Sequence, residues 1–207
     1  MAEIHRTTLE PTKLELLTDW LPGRPWYQGS GTPRPAKAGG FRLDDHAGEV
    51  GIEFMVVNDA DASYLVPMTY RGTPLEGAEA GLIGTSEHGV LGKRWIYDGC
   101  HDPVLAAELA ALFEGRVKAQ AQSVSDQEDQ DVQVSYEGAP LGEVRIETVE
   151  DGAHGTEVRL VGGAALRVRR VLSGAEASRD AGRLSGVWKR ADGTEVRAPF
   201  ISLHTDA

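Results

Sequence analysis

Apolar side chains that recur every second residue constrain this chain more than any other feature. Val50, Ile52, Phe54 and Val56 share one face of an extended segment; Val144, Ile146 and Thr148 alternate in the same way, as do Thr156, Val158 and Leu160. A period of two places alternate side chains on one side of a strand, facing a core. Turn residues separate the runs: Asn58 to Asp61, Gly162-Gly163 as a two-residue hairpin connection, and Asp192-Gly193. Hairpins of this kind join antiparallel neighbours.

Two stretches carry helical spacing instead. The first begins after Glu10, with Pro11 at the first helical position and Leu14, Leu17 and Leu21 following, and Leu21-Pro22-Gly23 ends it. The second starts at Asp102-Pro103, where an aspartate can cap backbone N–H groups and proline already has helical φ. Leu105, Leu109, Leu112 and Phe113 form its apolar stripe, which leaves Glu108 and Glu114 on the wet side, and Gly115 stops it. The Pro/Gly-rich residues 22–40 contain Trp26 and Tyr27 and read as an ordered loop anchored by aromatics. Ser63 to Arg71 is a strand whose Pro67 favours an edge or a bulge. A further extended pair covers Gly81 to Tyr97, with Trp95 and Tyr97 on one face. The fold class expected is therefore α+β, a curved antiparallel sheet packed by one or two helices with additional C-terminal hairpins.

The polar acidic run 123–131 lacks core-forming residues and reads as a linker or exposed loop. It divides residues 1–122 from the β-rich residues 132–207, which form a second unit or complete the same sheet. Across all 207 residues, 32 acidic side chains against 21 basic ones give a formal charge of -11, which repels phosphate backbones and anionic lipid surfaces. Neither nucleic acid nor membrane is an expected partner. The basic group Arg167, Arg169 and Arg170 reads as the wet side of a strand. The single cysteine, Cys100, forms no intramolecular disulfide and no Cys cluster, consistent with a reducing cytoplasm. The first residues lack the pattern of a secretory signal.

Three segments carry a resemblance: Trp20-Leu-Pro-Gly-Arg-Pro-Trp26, Tyr64-Leu-Val-Pro-Met-Thr-Tyr-Arg71, and Tyr97-Asp-Gly-Cys-His-Asp-Pro103 before an apolar helix. In this order they resemble the N-terminal cap domain of actinobacterial maltokinases and related glucosamine kinases. The first departs from the family pattern, because Pro25 separates Arg24 from Trp26. The resemblance covers roughly residues 10–120 and implies a cystatin-like curved sheet with helices, which in full-length relatives packs over the nucleotide-binding region. Phosphoryl transfer needs groups that hold phosphates, magnesium and the accepting hydroxyl. Neither a phosphate-binding loop motif nor the His-Gly-Asp-type catalytic segment of the family's kinase body occurs in this sequence. The resemblance thus leads to the expectation of a stand-alone, non-catalytic cap-like protein that binds or regulates a partner in sugar or α-glucan metabolism.

Residue chemistry leaves a diffuse set of candidates. Glu87-His88 and Asp98 with His101-Asp102 are the densest acid and imidazole groups, but neither has metal-ligand spacing, and Asp98 and Asp102 also suit turn and cap roles. Cys100 reads as a structural thiol, and Ser30 and Ser86 lack a nucleophile setting. Trp20, Trp26, Tyr27, Trp95 and Tyr97 serve as packing or as a sugar platform. The candidate pocket or docking surface comprises Trp26, Tyr27, Arg71, Glu87, His88, Trp95, Tyr97, Asp98 and His101, with no catalytic residue, metal or cofactor expected. A protein or a small molecule, carbohydrate included, is the expected partner; an enzyme using Glu87, His88, Asp98 and His101 is the third reading.

Overall fold

The computed structural model of the chain describes residues 9–122, 127–173 and 180–205. In chain order the elements are β1 (Leu9–Glu10), α1 (Lys13–Trp20), β2 (Ala36–Asp44), β3 (Gly51–Asp59), β4 (Ala62–Arg71), β5 (Leu82–His88), β6 (Gly92–Asp98) and α2 (Pro103–Phe113). They are followed by β7 (Gln120–Ala121), β8 (Gln133–Tyr136), β9 (Ile146–Asp151), β10 (Gly155–Leu160), β11 (Ala165–Arg169), β12 (Gly182–Lys189) and β13 (Glu195–His204). The thirteen described strands form one sheet in the order β1-β5-β6-β4-β3-β2-β12-β13-β11-β10-β9, with β7 added to β2 and β8 to β12. Each of these pairings is antiparallel. The α+β class read from the alternation is the class observed.

The strand ladders of the two halves join at one residue pair, Trp188 of β12 opposite Gly39 of β2, and a separate antiparallel bridge links Tyr64 of β4 to Val171. A Cβ on Gly39 would stand 2.9 Å from the Val187 carbonyl oxygen, so only glycine admits this approach. Gly39 lies within the stretch read from sequence as a loop; the strand β2 in fact begins at Ala36, because glycine weakens a strand signal without preventing pairing.

Both faces of β3 and β4 are covered. On one side α1 sets Leu17 and Trp20 against Met55, Val57, Val66, Met68 and Ile96. On the other, α2 sets Leu105, Leu109, Leu112 and Phe113 in a cluster with Ile52, Phe54, Val56 and Leu65. The same cluster contains Val158, Leu166, Val168, Leu184, Phe200, Ile201 and Leu203 from the C-terminal strands. The alternation reports one face only, and the second face of β3 is equally apolar.

Local chemistry moves several boundaries. α1 starts at Lys13, not Pro11, because Thr12 makes a capping box with Glu15: the Glu15 amide donates to Thr12 Oγ1, and the Thr12 amide donates to Glu15 Oε2. Pro67 sits inside the sheet: the β6 ladder on β4 stops at Met68, and beyond Pro67 the Leu65 amide donates to the Arg170 carbonyl on that same edge. The proline thus occupies the gap between two partners, where its missing N–H costs nothing. The β10 to β11 connection has three residues, since Leu160 and Ala164 pair across Val161 to Gly163. Glu108 is buried, with Oε1 accepting from the His46 amide, and Glu114 accepts from the Leu141 amide. The loop at His46 covers Glu108 at the middle of α2, and the loop at Leu141 partly covers Glu114 at its C-cap, so the face expected to be wet is packed. Among residues 127–131, Gln127 accepts from the Ala121 amide and Glu128 bridges to Gln120; Ser123 to Asp126 of the acidic run lie outside the described residues.

Candidate functional site

The nine candidate residues fall into separate places. Trp26 is fully buried within an aromatic row: its centroid is 5.6 Å from that of Trp20 and 6.0 Å from that of Tyr64, which is in turn 5.5 Å from Tyr27. Tyr27 Oη donates to Asp59 Oδ2 at 2.5 Å, and burial together with that carboxylate pushes the phenol well above its ordinary pKa. The row lies on the α1 side of the sheet. The opposite face carries Arg71, paired in register with Trp95, and Tyr97, paired with Thr69. Arg71 forms a two-pronged ion pair with Asp102, at 2.7 and 2.6 Å, which holds the guanidinium above its usual range. Asp102 has no exposed surface and also caps α2 by accepting from the Val104 amide. Tyr97 Oη accepts from the Leu75 amide, and Lys93 Nζ lies 5.1 Å from the centre of the Trp95 ring.

Glu87 and His88 are remote from Asp98 and His101. His88 pairs with Gly92 at one end of β6, where its Nδ1 accepts from the Val90 and Leu91 amides, and Asp98 closes the other end. Six strand steps separate these ends by roughly 20 Å. His101 packs instead over Gly81, where an added Cβ would come within 2.7 Å of the imidazole. Among the described residues no group of three or more His, Cys, Asp and Glu side chains could hold a metal ion.

Asp98 belongs to a buried polar network that the sequence reading missed. Its Oδ2 accepts from Arg170 Nη2 at 2.5 Å, and Arg170 has no exposed surface. Arg170 Nε donates to Thr156 Oγ1, which donates to Asp151 Oδ1, and the guanidinium stacks 5.1 Å from the Trp26 ring centre. Arg170 Nη2 also reaches Cys100 Sγ at 3.2 Å. Burial drives the Cys100 thiol far above its ordinary pKa, a pull that the nearby guanidinium opposes only in part, so Cys100 stays a thiol. Arg170 therefore does not decorate a wet surface as expected, although Arg167 is exposed. The signal was available: Leu166, Val168 and Arg170 share one parity, so alternation itself turns Arg170 inward.

The structure is thus an antiparallel α+β protein whose central strands are enclosed by one helix on each face. Residues 20–102, which span the aromatic row, the Val-Pro strand and the turn leading to Asp102, match the family model of the maltokinase N-terminal cap domain. No curated protein matches the chain. No helix among the described residues is long and apolar enough to cross a membrane.

Proposed function

We propose that this protein is a non-catalytic cap-like module of the cytoplasm that binds or regulates a protein partner in sugar or α-glucan metabolism. The observation that carries the reading is the use made of the cap's carboxylates. Asp98 and Asp102, the acidic pair closest to a catalytic motif, are consumed by Arg170 and Arg71 inside the fold. A carboxylate held in this way neither binds magnesium nor accepts a substrate proton, the tasks that phosphoryl transfer requires of it. The family match lends the metabolic setting, since the cap domain takes its name from maltokinase.

Two measurements test the reading. Incubation with ATP, magnesium and maltose, glucose or glucosamine is expected to yield no sugar phosphate; catalytic turnover abolished by Asp98→Asn or Asp102→Asn in a folded variant overturns the non-catalytic part. Affinity capture from native lysate is expected to enrich an enzyme acting on glucans or sugar phosphates. Specific enrichment of unrelated proteins alone contradicts the metabolic assignment.

A further inference from the structure

The outer face of the C-terminal strands carries an open trough of about 460 Å³, lined by both acidic and basic side chains, that the cap reading does not use. Volumes of this order hold small metabolites. Cross-strand register builds its floor: Glu157 of β10 lies opposite Arg167 of β11, and Arg167 lies opposite Ser202 of β13. His204, two residues further along β13, falls on the same face. The chain's excess of acidic residues lies almost entirely in residues 1–131, so this half is close to neutral and does not repel an anion as the whole chain would.

Three potential donors converge on one spot. Arg167 Nη1 lies 3.4 Å from His204 Nε2, and Ser202 Oγ lies 3.2 Å from the same nitrogen. Asp180 Oδ1 approaches it at 2.9 Å from a side chain that is 1 % exposed. With its proton on Nε2, His204 donates to Asp180, and Arg167 and Ser202 then face an N–H instead of a lone pair. Arg167, Ser202 and His204 are groups that an oxyanion can accept from; Asp180 is the carboxylate on His204, Glu157 is the one on Arg167, and Glu150 and Asp151 line the trough along β9. Glu157 does not cancel the site, because it is shared by two guanidinium groups, Arg159 at 2.5 Å and Arg167 at 2.7 Å.

We propose that Arg167, Ser202 and His204 form a binding site for the oxyanion of a small phosphorylated or carboxylated metabolite, with Asp180 as an intramolecular competitor. The inference is independent of the proposed partner and of the cap segment. Backbone amide NMR shifts, followed in the full chain during titration with glucose 6-phosphate, gluconate and neutral glucose, provide the test. Saturable shifts at Ser202 and His204 are expected with at least one of the two anions and not with glucose. Arg167→Ala, a surface change in a well-folded strand, should weaken that binding about ten-fold or more, as expected for loss of a charge-assisted hydrogen bond. Asp180→Asn should strengthen it. The proposal is overturned if neither anion gives saturable shifts below roughly 10 mM, a very weak affinity, if glucose binds equally well, or if Arg167→Ala leaves the affinity unchanged in a variant with wild-type dispersion.

Discussion

At the scale of single residues, the fate of Arg170 shows how charge is admitted to this core. Desolvation opposes its charge, but Asp98 outweighs that effect and holds the guanidinium above its usual pKa. A buried pair of this kind is a weak source of net stability, yet removing one partner strands the other. Arg170→Ala and Asp98→Ala should therefore each cost about 3–5 kcal/mol in urea unfolding, with a double variant far less destabilised than the sum. Additive losses would show that the two side chains act independently. The pair also explains the limits of sequence reading here. Parity points Arg170 inward, but the identity of its partner, 72 residues earlier in the chain, depends on how two distant strands pack.

At the scale of elements, α2 was the most legible part of the molecule. Its cap, its start and its apolar stripe all depend on neighbours within one or two turns, and all are as the local chemistry dictates. Its second face was not legible, because the loops that bury Glu108 and contact Glu114 come from residues 46 and 141. Leu109→Ala should cost about 2–5 kcal/mol as a core truncation. Glu108→Ala should also destabilise, by about 1–3 kcal/mol, because it leaves the His46 amide without its acceptor; an unchanged urea midpoint would contradict that role. Glu114 offers a pH test. The Leu141 amide, aided by Arg116, holds its carboxyl below the ordinary value, so its contribution is present above the unfolded glutamate pKa and is lost as pH falls through the folded one. Wild-type protein should accordingly lose more stability than Glu114→Gln between about pH 5 and pH 3. Parallel losses would mean that the contact carries no linkage.

At the scale of the whole molecule, the strands of both halves share one apolar cluster, one sheet and one buried ion pair. Alternation and turns showed the existence of most strands and the antiparallel class. They left strand order open, because a period of two records which face is apolar but not what covers it. The Trp188 and Gly39 contact that joins the halves has no sequence signal beyond a glycine in a Pro/Gly-rich run. The candidate site was the least legible feature, since the expected surface required the Glu87-His88 and Asp98-His101 groups to meet, and strand β6 holds them apart. We infer that residues 132–207 cover the cap segment as part of one cooperative unit. Expression of residues 1–122 alone tests this most directly. The account predicts that the fragment exposes the apolar face beneath Phe41, Phe54 and Leu112 and aggregates or binds a hydrophobic dye; a soluble monomer that unfolds in one cooperative transition would contradict it.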